Sequence, residues 1–236
     1  VLNADNPTSR SMENRARGRV LWFGNELPGD GVALNDSWIV HRQQGSMERI
    51  FDAACLHIPG RHNIQNALAA AACARSMGID AKSISRGLGS FRGVPHRLEL
   101  VGTIDGVAYY NDSKATTPEA AAAGVGAFEG REVFAILGGY DKGVSFDRMA
   151  QEIAGKASWA ALIGVTAPHI HRSLVAAGVP SCIYGSFDEA FDACAARALS
   201  GAVVLLSPGC ASYDMFNNYE ERGERFRELV RKRLKE

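Results

Sequence analysis

The chain has 236 residues, 46% of them hydrophobic, and its 26 lysines and arginines balance 26 aspartates and glutamates. This size suits one large or two modest globular domains, and the zero net charge argues against a nucleic-acid-binding protein, which usually carries a basic excess. Five scattered cysteines without a C-x-x-C pair indicate reduced thiols in a cytoplasmic protein, and no apolar run reaches the roughly 20 residues that cross a membrane.

Residues 1–94 begin as strand-like, turn-rich sequence and continue as two helices. The expected strands, of which the third and fourth form a hairpin, are 1–3, 19–24, 31–34, 37–40 and a short apolar segment at 51–58. Helices follow at about 62–77 and 82–88, and the glycine-rich stretch 89–95 marks a domain boundary. Because the chain opens with valine inside a predicted strand, we expect residues to be missing upstream.

Residues 95–236 alternate strands with helices after an opening hairpin that turns at Asp105 and Gly106. The expected strands are 98–104, 107–111, 133–137, 159–163, 182–184 and 202–206. The expected helices lie near 118–127, 146–157, 167–177, 187–199 and 217–234. This alternation predicts an α/β fold with a mostly parallel sheet and helices on both faces. Right-handed crossovers then place the loops that follow the strands at one edge.

The most informative polar stretch runs from Asn111 to Glu119, between a predicted strand and an alanine-rich helix. Thr117 suits the N-cap of that helix and Pro118 its first position. Open α/β sheets bind ligands at this kind of junction, and helix amino ends favour anions. The alternative is a well-capped loop whose polar residues only face water.

Two further clusters also follow predicted strands. Residues 138–143 combine glycines with Lys142, and residues 207–216 include Ser212 and Asp214. The glycines allow close approach of the backbone to a ligand, and a lysine supplies a compact cation. Each cluster alone is equally consistent with an exposed turn or a helix cap. Three such clusters at one sheet edge favour a joint binding role.

Two polar groups lie nearer the domain boundary. Asn63 and Asn66 are three residues apart at a helix start, so they share a face and can bind a base or sugar edge. The competing interpretation is a cap plus a surface amide. Arg97 either clamps a phosphate or forms an interdomain salt bridge. The sequence contains no G-x-x-x-x-G-K-[ST] phosphate loop and no dense set of metal ligands.

Taken together, these clusters resemble the motifs of the Mur ligases, ATP-dependent enzymes that build the peptide of peptidoglycan. The resemblance covers essentially the whole chain, and five motifs in the order and spacing of the family carry it: Gly60-x-His62-Asn63-x-x-Asn66, Pro95-His96-Arg97-x-Glu99, Asn111-Asp112-Ser113-Lys114-Ala115-Thr116, Gly138-Gly139-x-Asp141-Lys142-Gly143, and Leu206-Ser207-Pro208 through Arg222-Gly223. The run from Ser207 to Phe216 is similar to the branch of the family that adds D-glutamate.

The resemblance implies the domain organisation. Residues 1–94 would be the rear part of an α/β ATPase central domain, and residues 95–236 a Rossmann-like amino-acid-binding domain. The phosphate loop and a UDP-binding domain would lie in a missing N-terminal portion of the same protein. We therefore expect the isolated chain to be inactive.

The resemblance also implies chemistry: ATP and Mg²⁺ drive attachment of D-glutamate to UDP-N-acetylmuramoyl-L-alanine through an acyl phosphate, with no metal ligand in this chain and no nucleic-acid or membrane partner. Lys114 and Lys142 would be catalytic. The implied nucleotide-binding residues are Asn63, Asn66, Arg97 and Asp112. The implied D-glutamate-binding residues are Lys114, Thr116, Lys142, Ser212 and Tyr219. The alternatives are a ligase like folylpolyglutamate synthase, or a non-catalytic nucleotide-binding module.

Overall fold

The computed structural model describes residues 1–235, and the chain divides into two compact units, Val1–Arg92 and Gly93–Glu236. Each unit has a buried apolar core of its own. Among residues 1–235, none of the helices combines the length and apolar character that a membrane span requires.

The first unit is a five-stranded mixed sheet with three helices. Its strands are β1 (Leu2–Asn3), β2 (Trp22–Gly24), β3 (Gly31–Asn35), β4 (Trp38–Gln43) and β5 (Ser46–Asp52), in spatial order β1-β2-β3-β4-β5. Its helices are α1 (Pro7–Ser11), α2 (Arg61–Ser76) and α3 (Ala81–Ser90). Strands β1 to β3 run parallel, whereas β3, β4 and β5 form an antiparallel meander.

The predicted strand-like segment at 51–58 is misplaced, because the strand in this region, β5, covers Ser46–Asp52. The strand ends at Asp52, and a 3₁₀ turn, Ala53–Cys55, follows it. Between β4 and β5, Gln44 and Gly45 both have positive φ, of 49° and 81°. This pair of left-handed residues makes the tight turn that a twisted hairpin favours. Most of β5 is exposed, so its sequence lacks the alternation that identifies a half-buried strand.

The second unit is a six-stranded sheet. Its strands are β6 (Glu99–Ile104), β7 (Val107–Asn111), β8 (Val133–Gly138), β9 (Ala157–Ile163), β10 (Ser181–Ile183) and β11 (Val203–Leu206). Its helices are α4 (Pro118–Val125), α5 (Asp147–Ile153), α6 (Ala167–Ala176), α7 (Phe187–Arg197) and α8 (Tyr219–Arg233). The spatial order is β10-β9-β8-β11-β7-β6, and every pair is parallel except β6 with β7.

Both faces of this sheet are covered, as the alternation predicted. Along β8, Ala135 and Leu137 point into a core shared with α4, α5 and α6. Phe134 and Ile136 point into a second core shared with α7 and α8. The predicted α/β fold with a mostly parallel sheet is therefore confirmed.

The predicted C-terminal end of the helix near 146–157, which corresponds to α5, is wrong. We expected helix up to residue 157, but α5 ends at Ile153 and β9 already begins at Ala157. Gly155, at φ 73°, reverses the chain between them. A left-handed glycine after a helix is a common stop signal, and it shortens the connection here to three residues.

The strand order fixes where the polar loops meet. The last strand, β11, lies between β7 and β8 and is parallel to both. The carboxyl ends of these three strands are thus neighbours on one edge of the sheet. The loops that follow them are the three polar clusters singled out in this part of the sequence.

Candidate functional site

Three loops, 112–117 after β7, 139–145 after β8 and 207–218 after β11, form what we call the rim. Backbone hydrogen bonds join them directly. The N–H of Tyr140 donates to the carbonyl of Ala211 at 2.9 Å, and the N–H of Gly209 donates to the carbonyl of Ala115 at 2.9 Å. The loop after β11 thus touches both of the others, so the rim is a single connected surface.

Both lysines of the rim are exposed cations on adjacent loops. The Nζ of Lys142 donates to the carbonyl of Thr116 at 3.3 Å, reaching across from the loop after β8 to the loop after β7. The Nζ of Lys114 lies 5.8 Å from the centroid of the Tyr219 ring, within the range of a cation–π contact. Ser212, only 3% exposed, belongs to the third loop. The structure therefore brings Lys114, Thr116, Lys142 and Ser212 to the rim, and Tyr219, the first residue of α8, directly follows its third loop.

Arg222 organises the rim from beneath, and sequence reasoning assigned it no role. Its side chain is 1% exposed. Its Nε donates to Ser113 Oγ at 3.0 Å, and its two Nη atoms donate to the carbonyls of Ser113, Cys210 and Ala211 at 2.9, 3.1 and 3.3 Å. Burial lowers its pKa to about 10, so it stays protonated at neutral pH. In the sequence it is one of many charges on α8, which hid this function.

Asp112 lies at the bottom of the rim, 5% exposed. One carboxylate oxygen accepts from the Leu98 N–H at 3.1 Å and the other from Ser207 Oγ at 2.7 Å. Burial raises its pKa to about 6, although both hydrogen bonds and Arg97 act in the opposite direction. Gly124 on α4 makes room for this pair, since a Cβ there would lie 2.6 Å from Ser207 Oγ and 2.7 Å from Asp112 Oδ2.

The titration of Asp112 predicts a pH-dependent stability. Because its folded pKa, about 6, exceeds its ordinary value of 3.8, the folded state binds the proton more tightly than the unfolded state does. Ionisation of Asp112 therefore costs stability, by about 3 kcal/mol in total, as pH rises from about 4 to 7. In D112N this loss is absent. Urea unfolding of both proteins between about pH 4 and pH 7 should show the free energy of unfolding of D112N increasing relative to that of the wild type as the pH rises. If the two free energies of unfolding change with pH in parallel, the raised pKa does not belong to Asp112.

Next to the rim, His96 is buried and Arg97 is exposed. The Nδ1 of His96 is 3.0 Å from Nδ2 of Asn111, so it is the acceptor of that amide. Burial, and then the charge of Arg227, lower the pKa of His96, so the ring is neutral at pH 7. The Arg97 N–H bonds the Val94 carbonyl at 3.2 Å, which closes a turn and leaves the side chain at the surface.

Asn63 and Asn66 lie in the first unit, on the first turn of α2 and one turn beyond. Asn63 donates to the Pro59 carbonyl at 2.7 Å, and Asn66 donates to Asn63 Oδ1 at 3.2 Å. The structure thus pairs the two amides with each other. Within residues 1–235, no group of three or more histidine, cysteine, aspartate or glutamate side chains is arranged to hold a metal ion.

Known proteins match the chain along its length. The family model described as Mur ligase, glutamate ligase domain, matches residues 96–210. A UDP-N-acetylmuramoylalanine–D-glutamate ligase from Thermoanaerobacter sp. (strain X514) is 41% identical over 98% of the chain and 51% of its own length. The protein of the same name from Pelotomaculum thermopropionicum is 40% identical over the same shares. The chain spans about half the length of the curated relatives it matches.

Solved structures share the fold. The MurF ligase from Thermotoga maritima in complex with ADP superposes with a TM-score of 0.67 and 20% identity, covering 98% of this chain and 52% of that one. E. coli FolC in complex with ADP gives a TM-score of 0.65 and 18% identity, covering 97% and 52%. At such identities these likenesses establish the fold alone.

Proposed function

The chain belongs to the Mur ligase family, and we propose that it forms about half of an ADP-forming amide ligase that adds D-glutamate to UDP-N-acetylmuramoyl-L-alanine. The relatives named UDP-N-acetylmuramoylalanine–D-glutamate ligase match 98% of the chain at about 40% identity. The ADP complexes of two structural neighbours support ATP as the co-substrate.

The proposal includes the assignment of the two parts. Residues 1–94 would complete the ATP-binding central domain, and residues 95–236 would bind the incoming amino acid. The phosphate loop would belong to an N-terminal portion of the same protein, so the isolated chain would bind ligands without turning them over. The reaction would take place in the cytoplasm, where ATP and the UDP-linked precursor are made.

One observation carries the proposal: Lys114, Thr116, Lys142 and Ser212 lie on the single rim described above. D-Glutamate has two carboxylates at neutral pH, so its site needs cations and hydroxyl or N–H donors. Two exposed ammonium groups on adjacent loops, joined by the contact from Lys142 to Thr116, supply that chemistry.

In the proposed reaction, the L-alanyl carboxylate attacks the γ-phosphorus of ATP and displaces ADP, giving an acyl phosphate. The D-glutamate amine then attacks the acyl carbon, loses a proton, and phosphate leaves with its oxygen. Lys114 and Lys142 orient D-glutamate and offset the negative charge of the reacting groups. Asn63 and Asn66 would bind adenine, and Arg97 and Asp112 the phosphates and ribose. Mg²⁺ would accompany ATP and shield its charge; no residue of this chain is assigned to it.

Replacing Lys142 with alanine tests the D-glutamate site. We expect NMR titration of the wild-type chain to show D-glutamate binding with shifts confined to the rim, and K142A to bind at least tenfold more weakly, a loss of about 1.4 kcal/mol. K156A is the matched control. Lys156 is also exposed, but it precedes β9 and so lies at the opposite edge of the sheet.

The same titration separates the alternatives. Preference for L-glutamate over D-glutamate would favour a folylpolyglutamate synthase-like ligase, which the structural likeness to FolC makes the specific competitor. Binding of ATP without either amino acid would favour a non-catalytic nucleotide-binding module. Equal effects of K142A and K156A would remove the rim as the D-glutamate site.

A further inference from the structure

The turn between β9 and α6, residues 164–166, contacts two of the three rim loops although it carries no residue of the proposed D-glutamate site. Thr166 is completely buried in this turn. Its hydroxyl lies against Gly139, at the start of the loop that presents Lys142. The neighbouring Val165 donates its N–H to Asp214 Oδ2 at 3.1 Å, which ties the turn to the loop after β11 as well.

Three hydrogen bonds connect Thr166 to the one residue Gly139. The Gly139 N–H donates to Thr166 Oγ1 at 3.0 Å, the hydroxyl donates back to the Gly139 carbonyl at 3.0 Å, and the Thr166 N–H donates to that carbonyl at 3.1 Å. The hydroxyl is also 3.3 Å from Cys210 Sγ. Both polar groups of the Gly139 backbone are therefore held by a single threonine from a neighbouring strand connection.

This use of the hydroxyl is unusual for its position. Thr166 is the N-cap residue of α6, yet its side chain makes no capping hydrogen bond to its own helix. The N-cap residues of α4, α7 and α8, in contrast, each accept from an amide of the first turn: Thr117, Ser186 and Asn218. Capping is the ordinary reason for a threonine there. The Thr166 hydroxyl is instead directed to the loop after β8.

Gly139 has a backbone conformation that residues other than glycine rarely adopt. Gly139 has φ 145° and follows Gly138 at φ 111°, so the chain bends sharply as it leaves β8. Such a bend admits many conformations in a free glycine pair. The backbone N–H groups of the flanking residues Gly138 and Tyr140 donate to the loop after β11, and the threonine contacts hold Gly139 between them. Lys142 follows three residues later, with Nζ on the Thr116 carbonyl.

We propose that Thr166 is a positioning residue: its hydroxyl fixes the turn at Gly138 and Gly139 and thereby sets Lys142 on the D-glutamate side of the rim. This inference rests on the proposed function, because it treats Lys142 as a D-glutamate-binding cation. The first part of the inference, that the Thr166 hydroxyl fixes the turn at Gly139, does not depend on which ligand the rim binds.

The test compares T166V, which keeps the shape but removes the hydroxyl, with T166S, which restores it. In T166V we expect the Gly139 amide to exchange its hydrogen at least tenfold faster, because its acceptor is gone, and D-glutamate to bind at least fivefold more weakly. T166S should return both quantities to within twofold of wild type. T103V is the matched control: Thr103 is exposed on β6 and pairs with Ala108 near the amino end of β7, at the edge of the sheet opposite the rim.

The outcomes separate the two levels of inference. Unchanged exchange at Gly139 in T166V overturns the positioning role, whatever the ligand. Faster exchange with unchanged D-glutamate affinity also overturns it, because the turn then does not set Lys142. Absence of D-glutamate binding in the wild-type chain counts against the proposed function instead, and the Gly139 exchange rates still decide whether the hydroxyl holds the turn. Failure of T166S to restore a T166V defect points to a packing effect and rejects the role of the hydroxyl.

Discussion

Replacing Arg222 with alanine is expected to destabilise the second unit by about 4 kcal/mol, near the upper end for a single substitution. The substitution removes the guanidinium donor from the buried carbonyls of Ser113 and Cys210, and an acceptor left unpaired costs about 1–3 kcal/mol. The Ala211 carbonyl also loses this donor but keeps its hydrogen bond from the Tyr140 N–H. It also opens a cavity where the largest fully buried side chain was. Hydrogen exchange of the β8 and β11 amides measures the loss, since these central strands report opening of the whole unit.

Two further variants test whether the loss of stability in R222A comes from the buried guanidinium. R222K keeps the charge but not the planar fork of donors, so we expect an intermediate loss. R231A removes an exposed arginine from the same helix and should change stability by less than about 0.5 kcal/mol. An R222A protein within about 1 kcal/mol of wild type would show that the rim does not depend on the buried guanidinium.

Replacing Gly139 with alanine is expected to cost about 3 kcal/mol and to abolish D-glutamate binding by the rim. An added Cβ would lie 2.3 Å from the Ala211 carbonyl oxygen, and φ is 145°, so the residue would be both overpacked and strained. The blocking atom belongs to the backbone and accepts the Tyr140 N–H, so it cannot rotate away. Loss of the contact between the loops after β8 and β11 should follow, and amide exchange and D-glutamate titration measure it.

Gly143, in the same loop, is the matched control. It also has positive φ, 71°, but an added Cβ would meet nothing within 4 Å. G143A therefore carries only the backbone cost, about 1 kcal/mol. If G139A and G143A lost equal stability, backbone strain and not the close approach of Ala211 would explain the effect.

For the second unit, the sequence was sufficient to predict the strands, their mostly parallel arrangement and the position of the following loops at one edge, but not the order of the strands. Strand β7 appeared as a buried apolar run with the boundaries that the structure has, and β8 and β11 differ from expectation by one residue each. These strands could be predicted because buried parallel strands need nearly continuous hydrophobic residues. Such apolar runs alternate along this part of the chain with segments whose hydrophobic residues recur at helical spacing. The polar clusters at the ends of these strands followed from the same pattern.

Long-range side-chain contacts could not be inferred in the same way. Arg222 reaches Ser113 across 109 positions of sequence, and its burial contradicts the charged character of α8. In the sequence Thr166 is typical of an N-cap residue, but in the folded chain its hydroxyl accepts the Gly139 N–H instead. Such contacts depend on which loops the strand order makes neighbours, and no local period or propensity reports that.

The insertion of β11 between β7 and β8 also sets an order of events during synthesis. Strand β11 leaves the ribosome after both β7 and β8, and until it arrives β7 and β8 have no parallel partner between them. A nascent chain that stops near residue 200 presents two open strand edges, which favour misassociation with other chains. Premature termination there would therefore yield an aggregation-prone product, and not merely a shorter one.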